Sequence, residues 1–294
     1  MSTEISINKI IIIESIEAEK RLSGSVLKQY LNDLGASPAS GLPAVEFIKI
    51  EYADEFVRYI KSIIEDAKTN HVRPLIHLEL EGLEGARDKL VFANGSELLY
   101  KDLLALLIEL NVATSFNLPV FVAACFSAYL KKAYVDDWDE KPAPFLFMAG
   151  FNDKIHPDEI ETSTKLFYKT LANEKNFGKA ALVLKDTKIG SWDCMFAEVY
   201  YIETLKSFIE HLCRKETVRQ RVNGIKQTDK GRQAECRDIK RLLLKQHRDF
   251  LEFKFFESFF AVQQFPAHQT KFKYIKDLGN MEVEKLRGTQ QYLI

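Results

Sequence analysis

The chain has 294 residues, of which 46% are hydrophobic and 28% are charged, and its 41 basic side chains nearly balance 42 acidic ones. This composition is typical of a folded protein and excludes a disordered, collagen-like or coiled-coil chain. The longest purely aliphatic run, Ile10–Ile13, is far shorter than the ~20 residues that a membrane span needs. The first residues lack the basic and apolar segments of a secretory signal. We therefore expect a cytoplasmic protein without membrane contact.

The sequence indicates neither a metal site nor a phosphate-binding loop. The four cysteines, Cys125, Cys194, Cys213 and Cys236, are too few and too scattered for a disulfide framework. No two of them have Cys-x-x-Cys spacing, and no histidine stands at zinc-ligand spacing from a cysteine. The glycine-containing segment 82–85 is acidic and has no following lysine, which is wrong for a phosphate loop. We expect no metal and no cofactor.

The first two thirds of the chain alternate between strand-like and helix-like segments. Apolar runs predict strands at 9–16, 44–50, 74–81, 118–124 and 144–149, with a short edge piece at 90–92. Helical spacing of apolar residues predicts helices at 24–34, 55–68, 100–110, 128–137 and 157–171. Residues 179–184 fit either a sixth strand or part of a helix. Strands that alternate with helices imply crossover connections, so we expect an α/β fold with a mainly parallel sheet and helices on both faces.

The last third of the chain has a different character. A long amphipathic helix is predicted at 195–213, and residues 214–248 contain 12 Lys or Arg against 4 Asp or Glu. An aromatic-rich segment, 250–265, and a polar tail follow. We therefore predict an α/β domain at 1–213 and a basic, aromatic-rich, mostly helical region at 214–294.

Two interpretations of the basic stretch Arg214–Arg248 stay open. One is a solvated helical face, and the other is a docking surface for an acidic partner or a nucleic acid. The stretch has no interleaved aromatic residues, so a site that stacks single-stranded bases is not favoured. We expect the phenylalanines of 250–265 to pack against the sheet domain or against a partner subunit, which makes an oligomer possible.

Two strands of the predicted sheet end in reactive or ionisable side chains. In open parallel sheets, functional sites form at the carboxyl ends of the strands. The strand within 75–82 ends in Glu81 and Gly82, and the strand within 120–127 ends at Cys125. We compare these two strand ends as the candidate site.

The two segments resemble the CHAT-type branch of the caspase-like cysteine peptidases. In that family one strand ends in His-Gly, which supplies the general base, and the next core strand ends in Ala-Cys-x-Ser/Thr/Gly, which supplies the nucleophile. Residues 124–127 (Ala-Cys-Phe-Ser) match the second motif, and the resemblance is best over 72–130. It implies a three-layer caspase-like sandwich, a nucleophilic Cys125, and an oxyanion hole formed by the N–H groups of Gly82 and Cys125. Relatives of this type occur in bacteria and commonly act on, or with, partner proteins.

Glu81 stands where this family has its catalytic histidine. Reference pKa values are about 8.5 for a thiol and about 4.3 for a carboxyl, so proton transfer to glutamate is uphill by roughly 4 pKa units, or about 5.7 kcal/mol. Transfer to histidine is uphill by roughly 2 pKa units, or about 2.7 kcal/mol. A nearby carboxylate also opposes formation of the thiolate, because like charges raise the pKa of the thiol. A cysteine paired with a glutamate is therefore a poor nucleophile.

Two histidines are alternative candidates for the base. His77 matches an accessory histidine of some relatives, and it lies four residues before Glu81, which is ~13 Å further down a strand. His156 follows a predicted strand and so lies at the same edge of the sheet as Cys125, although an exposed loop histidine before Pro157 has the same signature. Without the family resemblance, Cys125 itself is interpreted as a buried, inert cysteine.

Three hypotheses about function follow. The first is a CHAT-type peptidase homologue that is catalytically impaired and binds a protein or peptide. The second is an active cysteine endopeptidase in which Cys125 is the nucleophile and His156 or His77 is a rearranged base. The third is a flavodoxin-like binding module, which the alternating pattern alone would allow. We favour the first, with the second as the alternative.

Overall fold

In the computed structural model the described residues are 5–17, 23–36, 41–83, 86–136, 141–187, 189–228, 235–249, 251 and 254–287. They belong to two compact units. One comprises described residues of Met1–Trp138 and Ala143–Phe196, and the other those of Asp139–Pro142 and Ala197–Ile294. The division into domains after residue 213 stays a prediction.

The first unit is built on a sheet that has eight strands among its described residues. They are β1 Lys9–Ser15, β2 Ala44–Lys49, β3 Pro74–Leu83, β4 Ala86–Val91, β5 Glu97–Leu99, β6 Pro119–Ala123, β7 Phe147–Phe151 and β8 Trp192–Phe196. The main path runs in the order β2-β1-β3-β6-β7-β8. Its pairs are parallel except for the antiparallel pair of β7 and β8. The hairpin of β4 and β5 joins the sheet through antiparallel pairing with β3. The predicted α/β fold with a mainly parallel sheet is confirmed.

Six helices accompany the sheet among the residues of this unit that the structure describes. They are α1 Ser23–Gly35, α2 Ala53–Asn70, α3 Tyr100–Ala113, α4 Tyr129–Asp136, α5 Pro157–Glu174 and α6 Phe177–Asp186. Ile10 and Ile12 of β1 share a core cluster with α1, α5 and α6. Ile11 and Ile13 are equally buried and, because side chains alternate along a strand, face the opposite side. β1 is therefore covered on both faces, as in a three-layer sandwich.

The structure decides one open detail of the predicted elements and corrects another. The ambiguous segment 179–184 lies in helix α6. Met195 and Phe196 belong to strand β8, whereas the apolar pattern predicted a helix from residue 195 onward. The helix begins at Ala197 instead. β8 is only five residues long and leads directly into this helix, so the helical periodicity masks the strand.

The second unit is helical. Its helices are α7 Ala197–Leu212, α8 Lys215–Gln227, α9 Cys236–Asp249, α10 Phe255–Phe259, α11 His268–Lys271 and α12 Lys273–Arg287. The predicted polar tail is thus helical as far as the structure describes it. The predicted α/β fold with additional C-terminal helices is therefore confirmed.

Aromatic rings form the core of the second unit. The ring of Tyr201 lies 4.8 Å from that of Phe255 and also contacts Phe256, Phe259 and Phe260. Four buried phenylalanines of the aromatic-rich segment therefore pack around a tyrosine of α7. The predicted contributions of Phe250 and Phe253 lie outside the described residues.

Within the described part of the chain, every helix is too short or too polar to cross a membrane.

Candidate functional site

The ends of β3 and β6 lie side by side in the sheet. The two strands are parallel neighbours, with Glu79 opposite Ala123. Glu81 comes two residues after Glu79, Cys125 lies just beyond the end of β6, and both residues line the same cleft. Gly82 packs directly on the backbone of Cys125, with no room between them for a side chain. The two strand ends identified from the sequence are therefore adjacent.

The turn that carries Cys125 is held in an unusual conformation. Phe126 has a φ of 60°, in the left-handed region that side chains other than glycine rarely adopt. Its N–H donates to the carbonyl oxygen of Asp153 at 3.3 Å, and the N–H of Ala128 donates to that of Phe151 at 3.0 Å. Strained turns persist where surrounding contacts fix them, and they are frequent at functional sites. The half-buried Cys125 thus stands at the start of a turn fixed by β7 and the loop that follows it.

Ser127 is the residue that ties this turn to the sheet. Its hydroxyl donates to the carbonyl oxygen of Val122 at 2.9 Å and accepts from the N–H of Phe151 at 2.9 Å. The side chain is fully buried. Gly150 makes the space, because a Cβ there would lie 2.7 Å from the hydroxyl oxygen. The serine of the Ala-Cys-x-Ser motif therefore has a structural role that links β6 to β7.

A cleft with a volume of about 360 Å³ opens beside the two strand ends. Its lining includes the polar residues Glu79, Glu81, Ser23 and Cys125 and also Gly82. Apolar residues line it as well, among them Ile16, Ile155, Pro157 and Ile160. A cleft of this size takes one or two amino-acid side chains or a small ligand, and its walls offer both negative charge and apolar contact.

A chain of buried hydrogen bonds continues from the cleft into the core. Ser23 Oγ donates to Glu79 Oε2 at 2.7 Å, and Glu79 Oε1 lies 2.9 Å from His77 Nε2. His77 Nδ1 lies 3.1 Å from the hydroxyl of Tyr168, and its ring stacks on Phe121 at 4.6 Å. Both ring nitrogens of His77 therefore have partners in the core. It is fully buried and does not line the cleft.

Glu14 is a second buried carboxylate next to Glu79. The two residues are directly opposite each other on β1 and β3. The N–H of Gly24 donates to Glu14 Oε2 at 2.8 Å. Burial raises the pKa of Glu14, hydrogen bonds from the backbone of Gly24 and Ser25 oppose that rise, and the charge of Glu79 adds to it. The first turn of α1 thus lies against a pair of buried acids.

His156, a candidate base from the sequence, lies at the start of α5. It is the N-cap residue of α5, and its Nδ1 accepts the N–H of Asp158 at 3.4 Å. Its own N–H donates to Glu159 Oε2 at 3.0 Å. The side chain is 70% exposed and does not line the cleft, although the next residue, Pro157, does.

Tyr100 supports the turn from the other side. Its hydroxyl lies 3.5 Å from the carbonyl oxygen of Phe126. Burial raises the pKa of Tyr100, and the charge of Asp88 raises it further. The phenol therefore stays protonated and available as a hydrogen-bond donor next to the Cys125 turn.

Sequence reasoning identified Glu81, Gly82 and Cys125 but missed Glu14 and Glu79. The signal for Glu79 was present in the sequence. Polar residues alternate at 77, 79 and 81, and a strand at the centre of a parallel sheet is covered on both faces. Such polar residues must be buried and hydrogen-bonded.

Comparison with models of known protein families and with curated proteins found no match. Among the described residues, no group of three or more His, Cys, Asp or Glu side chains is arranged to hold a metal ion. The four cysteines are free thiols, and only Cys236 is fully exposed.

Proposed function

We propose that this protein is a homologue of the CHAT-type caspase-like cysteine peptidases that binds a peptide segment of a partner protein in the Cys125 cleft and is catalytically impaired. One observation carries the proposal. Glu81 and Cys125 line the same cleft at adjacent strand ends. This is the arrangement expected if a carboxylate occupies the place of the family's imidazole.

Impaired catalysis follows from the chemistry of the groups around the sulfur. A carboxylate is a weaker base than imidazole by roughly 2 pKa units, which adds about 3 kcal/mol to thiolate formation. The negative charge of Glu81 further disfavours a second negative charge on Cys125. The imidazole of His77 is bonded to Glu79 and Tyr168, and that of His156 caps a helix. Neither histidine lines the cleft.

The chemistry of the cleft favours a peptide that carries a basic side chain. The acidic residue Glu81 and the aliphatic residues Ile155 and Ile160 all line the cleft. An arginine side chain combines an apolar stem with a charged head that bonds carboxylates in a bidentate manner. We therefore infer that the cleft binds a segment with arginine or lysine rather than one with aspartate.

Binding and cleavage of short labelled peptides test this function. The probe is an octapeptide with a central arginine between leucine and glycine, compared with peptides that have glutamine or aspartate in its place. We expect the wild type to bind the arginine peptide without cleaving it, as measured by fluorescence anisotropy and mass spectrometry. Glu81→Gln should weaken binding about tenfold, or ~1.4 kcal/mol. Glu65→Gln, on the exposed surface of α2, is the matched control and should change nothing.

Two further variants separate the parts of the proposal. Cys125→Ser should leave binding within twofold of wild type, because the thiol is not used as a nucleophile. Glu81→His should produce slow cleavage that is lost again when Cys125→Ser is added. Cleavage by the wild type that requires Cys125 would contradict the proposed impairment. Equal binding of the arginine and aspartate peptides would contradict the proposed ligand.

The alternative, an active cysteine endopeptidase with His156 or His77 as base, makes a different prediction. In that case His156→Ala or His77→Ala would abolish a cleavage activity that the wild type already has. Because His156 is exposed and contacts only the first turn of α5, its replacement leaves the cleft walls in place. The His156 variant is therefore the cleaner test of this alternative.

A further inference from the structure

Helices α8 and α9 of the second unit form a groove with a volume of about 490 Å³. Val218 and Val222 of α8 lie at its base and are buried. They belong to an apolar cluster that also contains Ile239 and Leu243 of α9. The bottom of the groove is therefore formed by buried apolar side chains, unlike the surface of a fully solvated helix.

The rim of this groove is positively charged on both sides. Lys215 and Arg219 line it from α8, and Arg237 and Lys240 line it from α9. All four side chains are exposed, and none of them has an ion pair or hydrogen bond within the part of the chain that the structure describes. Four like charges around one groove repel one another, so an anionic partner would relieve an unfavourable interaction.

A peptide suits the groove better than a nucleic acid does. A phosphate backbone is bound by basic side chains and polar hydrogen-bond donors. The apolar side chains at the bottom of the groove supply neither. Recognition of single-stranded bases uses aromatic stacking, and α8 and α9 contain no Phe, Tyr or Trp. An amphipathic helix, by contrast, places apolar side chains into a groove between helices and presents its flanks to the rim.

We propose that the groove between α8 and α9 binds an acidic amphipathic helix of a partner protein. Aliphatic side chains of that helix contact Val218 and Val222, and its glutamates or aspartates pair with the four basic residues of the rim. This site lies within the second unit and is independent of the function proposed for the Cys125 cleft.

The test uses the full chain and a synthetic peptide of eighteen residues, with leucine at helical spacing on one face and glutamate elsewhere. We expect saturable binding by fluorescence anisotropy that weakens as salt is raised. Arg219→Glu combined with Lys240→Glu should weaken binding at least tenfold. Arg241→Glu combined with Lys245→Glu, the same change of charge on α9 outside the groove, should weaken it less than twofold, and circular dichroism checks that each variant is folded.

Cys236 provides a readout at the groove itself, because it lines the groove and is exposed. The peptide should slow alkylation of Cys236 by iodoacetamide at least threefold, as measured by mass spectrometry. Absence of binding, equal binding to the charge-reversed variant, or unchanged alkylation of Cys236 would each overturn the proposal. Tighter binding and stronger protection by a DNA duplex would overturn it in favour of a nucleic-acid site.

Discussion

Gly82 and the backbone of Cys125 lie so close together that any side chain at residue 82 would overlap the Cys125 carbonyl oxygen. A Cβ at that position would also lie 2.7 Å from the carbonyl carbon and 3.2 Å from the Cα atom of Cys125. These are backbone atoms, so the overlap cannot be relieved by rotating a side chain. Only a shift of one strand end relative to the other would make room, and such shifts are costly in a packed core.

We expect Gly82→Ala to lower the free energy of unfolding by about 2–3 kcal/mol, because the added methyl group separates β3 from β6. It should also weaken binding of the arginine peptide. Urea denaturation and fluorescence anisotropy measure the two effects. Gly35→Ala is the control, since an added Cβ there meets no atom within 4 Å. A Gly82→Ala protein with wild-type stability and binding would contradict the packing described for the strand ends.

The adjacency of these strand ends follows from information that the sequence contains. Both strands are apolar, each is followed by a small or reactive residue, and parallel strands present their carboxyl ends at one edge. The sequence does not contain the register between β3 and β6, which depends on distant contacts. The placement of Glu81 and Cys125 in one cleft therefore emerges only from the structure.

Ser127 follows Cys125 by two residues, yet its physical role depends on residues far along the chain. We expect Ser127→Ala to reduce the free energy of unfolding by about 1–3 kcal/mol, because the buried N–H of Phe151 loses its acceptor. Loosening of the turn should also raise the rate of Cys125 alkylation. Ser62→Ala, which removes an exposed hydroxyl on α2, should have little effect on either measurement. Equal effects of the two substitutions would argue against the described link between β6 and β7.

The contacts of His77 predict that it stabilises the core and does not act on the cysteine. Tyr168→Phe should lower the free energy of unfolding by about 1 kcal/mol, since one hydrogen bond to His77 is lost. His77→Phe should cost about 3 kcal/mol, because Glu79 and Tyr168 both lose a buried partner. Neither change should alter the pH dependence of Cys125 alkylation. A shifted alkylation profile with unchanged stability would instead support His77 as a base.

The pairing of Glu14 with Glu79 could not be predicted from the sequence, and the reason is physical. The polar alternation at 77, 79 and 81 indicates that Glu79 is buried, but Glu14, at the end of an apolar run, resembles a solvent-facing residue. Their burial is decided by α1, whose first turn covers both and supplies the Gly24 N–H and the Ser23 hydroxyl as donors. A Cβ on Gly24 would lie 2.9 Å from Glu14 Oε2, so a glycine is needed for this approach. Such a fit between a strand pair and a helix terminus has no local signature.

The raised pKa of Glu14 predicts how the stability of the first unit depends on pH. A carboxyl whose pKa is higher in the folded state than its ordinary value of 4.5 destabilises the fold as pH rises above 4.5. Glu14→Gln removes the buried charge and keeps an acceptor for the Gly24 N–H. The variant should therefore be more stable than wild type at pH 8, and the difference should vanish below pH 4.5. Urea denaturation across this range tests the trend. A difference that grows toward low pH would have the wrong sign.

The second unit should respond to acid in the opposite sense because of His247. This residue is buried, the guanidinium of Arg221 donates to its Nε2 at 2.8 Å, and its Nδ1 lies 3.7 Å from the sulfur of Cys213. Burial, and then the charge of Arg221, lowers the pKa of His247 from 6.5 to about 4. The unfolded chain therefore takes up a proton that the folded unit does not, and stability is lost as pH falls from 6.5 toward 4.

The free energy of unfolding of the second unit should fall by up to about 3 kcal/mol as His247 of the unfolded chain becomes protonated. Hydrogen–deuterium exchange of α8 and α9, corrected for the intrinsic effect of pH, measures it without unfolding the first unit. His247→Gln keeps a donor and an acceptor and should flatten the pH dependence between 6.5 and 4. The same replacement at the exposed His211 should leave it unchanged. Protection of α8 and α9 that does not change over this range in the wild type would exclude a neutral, buried His247 as its cause.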